Sequence, residues 1–135
     1  MNYKIEEIEG IGKARAQKLA KMGIKDTALL LQHGASRSGR RRIANECGVS
    51  TVRLLKWVNM ADLMRISGVG EEYSELLEAA NCNTIKQLRR RNPDNLASRM
   101  VEINEKKKLV RSPAKPSQVA KWVEQANSLE PMITY

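Results

Sequence analysis

Two short glycine turns frame this chain. Gly10-Ile11-Gly12 follows Ile5 and Ile8, and Gly68-Val69-Gly70 follows Leu63 and Ile66. Each glycine of the first turn lies 58 residues before its counterpart, and Leu19 and Leu77 keep that offset. Glycine reaches positive φ without a Cβ clash, so two of them around one apolar residue permit a very tight reversal between helices. Ile5 and Ile8 fall three apart on one helical face, and Ala16, Leu19 and Ala20 share a side of the segment that follows. The pattern predicts a short helix over 4–9, a turn, and a helix over 13–22 stopped by Gly23. One pattern carried twice predicts an all-α chain of two similar halves, 1–64 and 65–135.

Between the turns, Asp26 or Thr27 is placed to cap a helix through Leu29, Leu30 and Leu31, closing near Gly34. Residues 35–39 read as a positively charged loop leading into Arg40-Arg41-Arg42. Residues 42–55 have the spacing of a helix-turn-helix, with Ala44 at the crossing, Gly48 in the turn, Ser50 as cap and Leu54 inward. Helix packing is the plainer reading of that segment, and DNA reading by its second helix the sharper one. After the second turn, helices are expected over 71–80 and over 84–91 with Thr84 as cap. Another is expected from Asp94 or Asn95, and a last one follows Pro113 and Pro116 with Ser117 as cap. Trp122-Val123 with Ala126 echoes Trp57-Val58 with Ala61. Pro131 should end the fold and leave Met132 to Tyr135 as a tail.

Composition narrows the function classes. No apolar run is long enough to span a membrane, and the acidic first residues do not make a signal peptide. Cys47 and Cys82 have neither metal-ligand spacing nor the number for a disulfide framework, which fits a reduced, cytoplasmic protein. The formal net charge is +9. Residues 1–64 hold 12 basic and 6 acidic side chains, and residues 65–135 hold 12 and 9. Such an excess favours polyanions, nucleic acid first.

The turns carry the strongest chemistry. Backbone N–H groups at the start of a helix lack intrahelical partners and can hold a phosphate oxygen, aided by the positive end of the helix dipole. Such a contact ignores base identity. In the first copy Lys13 and Arg15 follow the turn, and Lys18 and Lys21 extend the basic surface. In the second copy Glu71 and Glu72 stand there and would repel phosphate. The expected phosphate contacts are therefore Gly10, Ile11, Gly12, Lys13, Arg15, Arg37, Arg40 and Arg41, with Gly68, Val69 and Gly70 as a weaker second set. Arg89-Arg90-Arg91 and Lys106-Lys107-Lys108 are either further backbone contacts or solvated helix surface. His33 stands alone at a helix end, and the acidic residues form no evident metal cluster or nucleotide loop. No catalytic residue, metal or cofactor is assigned, although carbonyls of such a turn are also suited to a monovalent cation.

Residues 8–16 resemble a helix-hairpin-helix motif, which in DNA repair proteins, ligases and polymerases binds the sugar-phosphate backbone without sequence preference. The resemblance implies that Gly10 and Gly12 form the hairpin, Ile11 packs inward and Lys13 approaches phosphate. It implies the same of Gly68, Val69 and Gly70, from which Glu71 departs. The whole chain resembles the bacterial family of unknown function numbered 4332, itself similar to tandem helix-hairpin-helix domains. That likeness rests on Gly10-Ile11-Gly12, Gly34-Ala35, Gly39-Arg40, residues 57–63, residues 65–70, and Arg91-Asn92-Pro93 with Leu96. The expectation is a compact tandem helix-hairpin-helix protein that is not an enzyme and binds double-stranded DNA nonspecifically. The competing expectations are a structural or protein-interaction module and an accessory domain of a DNA-processing complex.

Overall fold

The periodic apolar segments become helices in the computed structural model, which describes residues 2–135. A 3-10 turn (Ile5–Glu7) leads into α1 (Gly12–Lys21), α2 (Thr27–Gly34), α3 (Arg37–Cys47) and α4 (Thr51–Leu63). Then come α5 (Glu71–Ala79), α6 (Ile85–Leu88), α7 (Pro93–Lys107) and α8 (Pro116–Asn127). The fold is all-α: the described residues contain no strand, only one isolated bridge between Lys4 and Asp26. No described helix is long and apolar enough to cross a membrane.

Local chemistry sets most helix starts. Asp26 accepts from the Leu29 N–H at 2.8 Å, Ser36 from Gly39 at 3.1 Å and Ser50 from Arg53 at 3.1 Å. Thr84 and Asn92 do the same for α6 and α7. Several expectations are corrected here. The loop expected over 35–39 is mostly the first turn of α3, because Ser36 caps it. Asn92 rather than Asp94 opens α7, since Pro93 fits the first helical position, where its missing N–H costs nothing. Pro116 likewise begins α8 ahead of Ser117. The first expected helix is only a 3-10 turn, and the one expected over 84–91 is the four-residue α6.

Two apolar clusters form. One gathers Ile5, Ile8, Ile11, Leu19, Leu30, Ile43, Leu54 and Trp57, and the other Leu63, Ile66, Val69, Leu77, Leu88, Leu96 and Trp122. Each fully buried Leu or Ile contributes about 1.5–3 kcal/mol by leaving water. The α4 helix serves both clusters, since Leu54, Trp57 and Met60 belong to the first and Leu63 to the second. Near its end, the buried Asp62 carboxylate accepts from Arg65 Nη1 at 3.0 Å and from the Ile85 N–H at 2.8 Å. Burial pushes the Asp62 pKa up, and these two hydrogen bonds oppose that shift.

The C-terminal residues are not a loose tail. The Thr134 N–H donates to Ala35 O at 2.8 Å, and Arg40 Nη2 donates to Thr134 O at 2.7 Å. Arg65 holds Glu130 O at 2.9 Å, and Ile133 packs on the first cluster. The expectation that Pro131 ends the fold is corrected. Arg40 and Arg65 present donors to the tail carbonyls and draw residues 130–135 back against the end of α2, α3 and the residues after α4.

Candidate nucleic-acid interface

The first turn has the backbone that its glycines suggest. Gly10 and Gly12 lie at φ +91° and +71°. Ile11 is fully buried, and its N–H donates to Ile8 O at 3.3 Å. That amide is committed to the turn, so Ile11 holds the hairpin rather than offering a donor. The free donors begin with α1 itself, whose N-cap position, Ile11, offers no side-chain oxygen to its first turn. Arg15 reaches back to Gly10 O at 3.4 Å. The Arg53 guanidinium lies over the Trp57 ring, 5.7 Å from its centroid. A Cβ built on Gly10 would lie 3.5 Å from Trp57 Nε1 and 3.8 Å from Arg53 Nη2. Arg53 thus stands beside the first turn from 43 residues away in sequence, a neighbour that linear spacing could not reveal.

Lys13 and Arg15 occupy opposite flanks of α1. Lys13 lines a shallow groove with Glu6, Gly12, Ala16, Gln17 and Ala20. Lys18 and Lys21, on the other flank, line a groove against α3 with Met22, Arg42 and Glu46. Arg15 belongs with this second flank. Burial raises the pKa of the Cys47 thiol on α3, and the charges of Lys18 and Arg15 pull it back.

The arginine tract divides. Arg40 is 5% exposed, and its Nη1 donates to Gly34 O and Ala35 O, both at 2.9 Å. Its guanidinium also lies over the Tyr135 ring, 5.7 Å from the centroid. The expected phosphate contact by Arg40 is corrected: its guanidinium is buried, with Nη1 and Nη2 held by carbonyls at the end of α2 and on the tail. Arg37 lines a groove with Tyr135, Val52 and Leu55, across α3 from Arg42 and Glu46. It is therefore not gathered with the first turn. Arg41 is exposed on α3. A matching use is made of Arg91, whose Nη2 donates to Ala80 O at 3.0 Å and Asn81 O at 3.1 Å where α5 ends.

The second turn resembles the first in part. Gly68 lies at φ +93°, Val69 is fully buried and its N–H donates to Ile66 O at 3.1 Å. A Cβ on Gly68 would meet Trp122 Nε1 at 3.3 Å, much as one on Gly10 would meet Trp57. Gly70, however, is extended at φ −97°, so α5 starts one residue later than α1 does. The two turns lie side by side. The Glu9 and Glu71 side chains share a hydrogen bond, and a Cβ on Gly70 would lie 4.0 Å from the Tyr3 hydroxyl. Burial, the Glu9 hydrogen bond and the charges of Glu9, Glu75 and Glu72 raise the Glu71 pKa to about 7. The seam between the turns is acidic at Glu9, Glu71, Glu72 and Glu75, and basic residues directly follow the first turn but not the second.

Among the described residues, no group of three or more His, Cys, Asp or Glu is placed to hold a metal. The family model described as Domain of unknown function (DUF4332) matches residues 9–129, and the chain belongs to that family. No curated protein and no solved structure matches it.

Proposed function

We propose that this member of the DUF4332 family is a sequence-nonspecific, non-enzymatic module that binds the phosphate backbone of double-stranded DNA, chiefly through its first turn. The observation that carries the reading is the difference between two otherwise similar turns. Gly10-Ile11-Gly12 delivers uncapped N–H groups at the start of α1, with Lys13, Arg15 and Arg53 around them. Gly68-Val69-Gly70 delivers a helix start that already carries Glu71 and Glu72. A phosphate gains from positive charge and unpaired donors together, so the first turn is favoured and the second serves mainly to pack. The 58-residue offset, the paired Gly10–Trp57 and Gly68–Trp122 contacts and the two apolar clusters support reading the chain as two helix-hairpin-helix units, 1–64 and 65–135.

Fluorescence anisotropy with unrelated duplexes across a salt series tests this. Similar affinities on each sequence, falling steeply with salt, are expected. Absence of binding at low salt would sink the proposal, as would binding unchanged by replacing Gly10, Gly12 and Lys13. A protein-interaction module would give the first of these results.

A further inference from the structure

The groove between α1 and α3 holds Lys18, Lys21 and Arg42, with Glu46 as its acidic member. Arg15 precedes it on the same flank of α1, and its charge is felt with that of Lys18 at Cys47. Arg15 is itself bonded to the Gly10 carbonyl. A basic line therefore leaves the first turn through Arg15, passes Lys18 and reaches Lys21 and Arg42. Lys13 is on the other flank, and Arg37 and Arg40 are turned toward Tyr135.

We infer that this groove is a second contact for one DNA strand, continuing the phosphate path from the first turn along the α3 flank of α1. The inference rests on the proposed DNA binding and adds the direction and extent of the path. Two features favour a nucleic-acid strand over scattered surface charge. The cations come from two helices and converge on one groove, whereas a solvated helix face would spread them. The length also fits: α1 from Gly12 to Lys21 rises about 14 Å, the axial span of about four phosphates on one strand. Side chains rather than amides make these contacts, so they add affinity and salt dependence without base preference.

The test is anisotropy with a short labelled duplex over a salt series, using the full chain and four variants. Replacing Lys18, Lys21 and Arg42 together with alanine is expected to lower the slope of log affinity against log salt by about 2.7, at about 0.9 for each phosphate no longer neutralised. Glu46→Gln removes the one negative side chain of the groove. It is expected to tighten binding by about twofold at low salt, an outcome that poor folding cannot imitate. Arg37→Ala, on the far flank, is expected to leave the slope unchanged. A triple variant and Glu46→Gln that both bind as the parent does, while replacement of Gly10, Gly12 and Lys13 weakens binding, would overturn the groove and leave the first turn standing. A parent chain that does not bind the duplex would overturn both.

Discussion

At the scale of single residues, close packing requires glycine at Gly34 and Gly39, and a positive φ requires it at Gly68. Gly39 has no unusual turn to make. It lies in the first turn of α3, where a Cβ would overlap the His33 carbonyl oxygen. Gly34 is likewise close to α4, with a Cβ position 2.7 Å from Val58 Cγ2. These glycines let α2, α3 and α4 approach. Gly68 instead combines positive φ with the nearby Trp122 edge. Both Gly39→Ala and Gly68→Ala should destabilise the protein, Gly68→Ala by about 1–3 kcal/mol for the strained backbone alone. Gly39→Ala should cost more, because backbone must move; chemical denaturation of the two variants ranks them. Arg40 is the structural member of its tract. Arg40→Ala strips charged donors from three carbonyls and should cost about 2–4 kcal/mol in the same measurement. It should also speed hydrogen exchange at the Thr134 amide. Arg41→Ala, at an exposed site, should leave stability almost unchanged.

At the scale of elements, the raised pKa of Glu71 predicts a pH response at the seam between the two turns. An ordinary glutamate titrates near 4.5, whereas Glu71 is raised to about 7. Between those values the folded protein holds a proton that the unfolded chain has released. Stability from this group is complete below pH 4.5 and falls as pH rises through about 7. Glu75 shifts in the same direction, by burial and then by the Glu9 charge, and Lys56 and Lys107 oppose it. Melting temperatures of the parent chain should decline from about pH 5 to about pH 8, and Glu71→Gln should flatten that decline. An unchanged profile in Glu71→Gln would show that the proton shared by Glu9 and Glu71 does not set the pH response. Helix positions are legible in the sequence because apolar spacing and capping residues agree, as at Asp26 and Ser50. The start expected at Asp94 or Asn95 falls instead at Asn92, because Pro93 fits the first helical position and so moves the cap one residue before it.

At the scale of the whole molecule, the all-α class and much of the core are readable from residues alone. Ile5, Ile8, Leu19, Trp57, Leu77 and Trp122 are all buried as their spacing requires. The arrangement of charge is not readable in that way. Net charge treats Arg40, Arg41 and Arg42 alike, but helical geometry buries the first and sends the last toward α1. Arg53 reaches the first turn only because Trp57 packs beneath Gly10. The tail escapes a sequence reading for a similar reason: its anchors, Arg40 and Arg65, are 94 and 65 residues from their partners. Tertiary hydrogen bonds at such separation leave no periodic trace.

Amide chemical-shift mapping with a short DNA duplex tests phosphate binding by the first turn most directly, because it reads each turn separately in one sample. Amides from Gly10 to Arg15 should move most, those of Lys18, Lys21 and Arg42 should follow, and Glu71 and Glu72 should move little. Shifts centred on the second turn, shifts centred on Arg37 and the tail, or no shifts at low salt would contradict it.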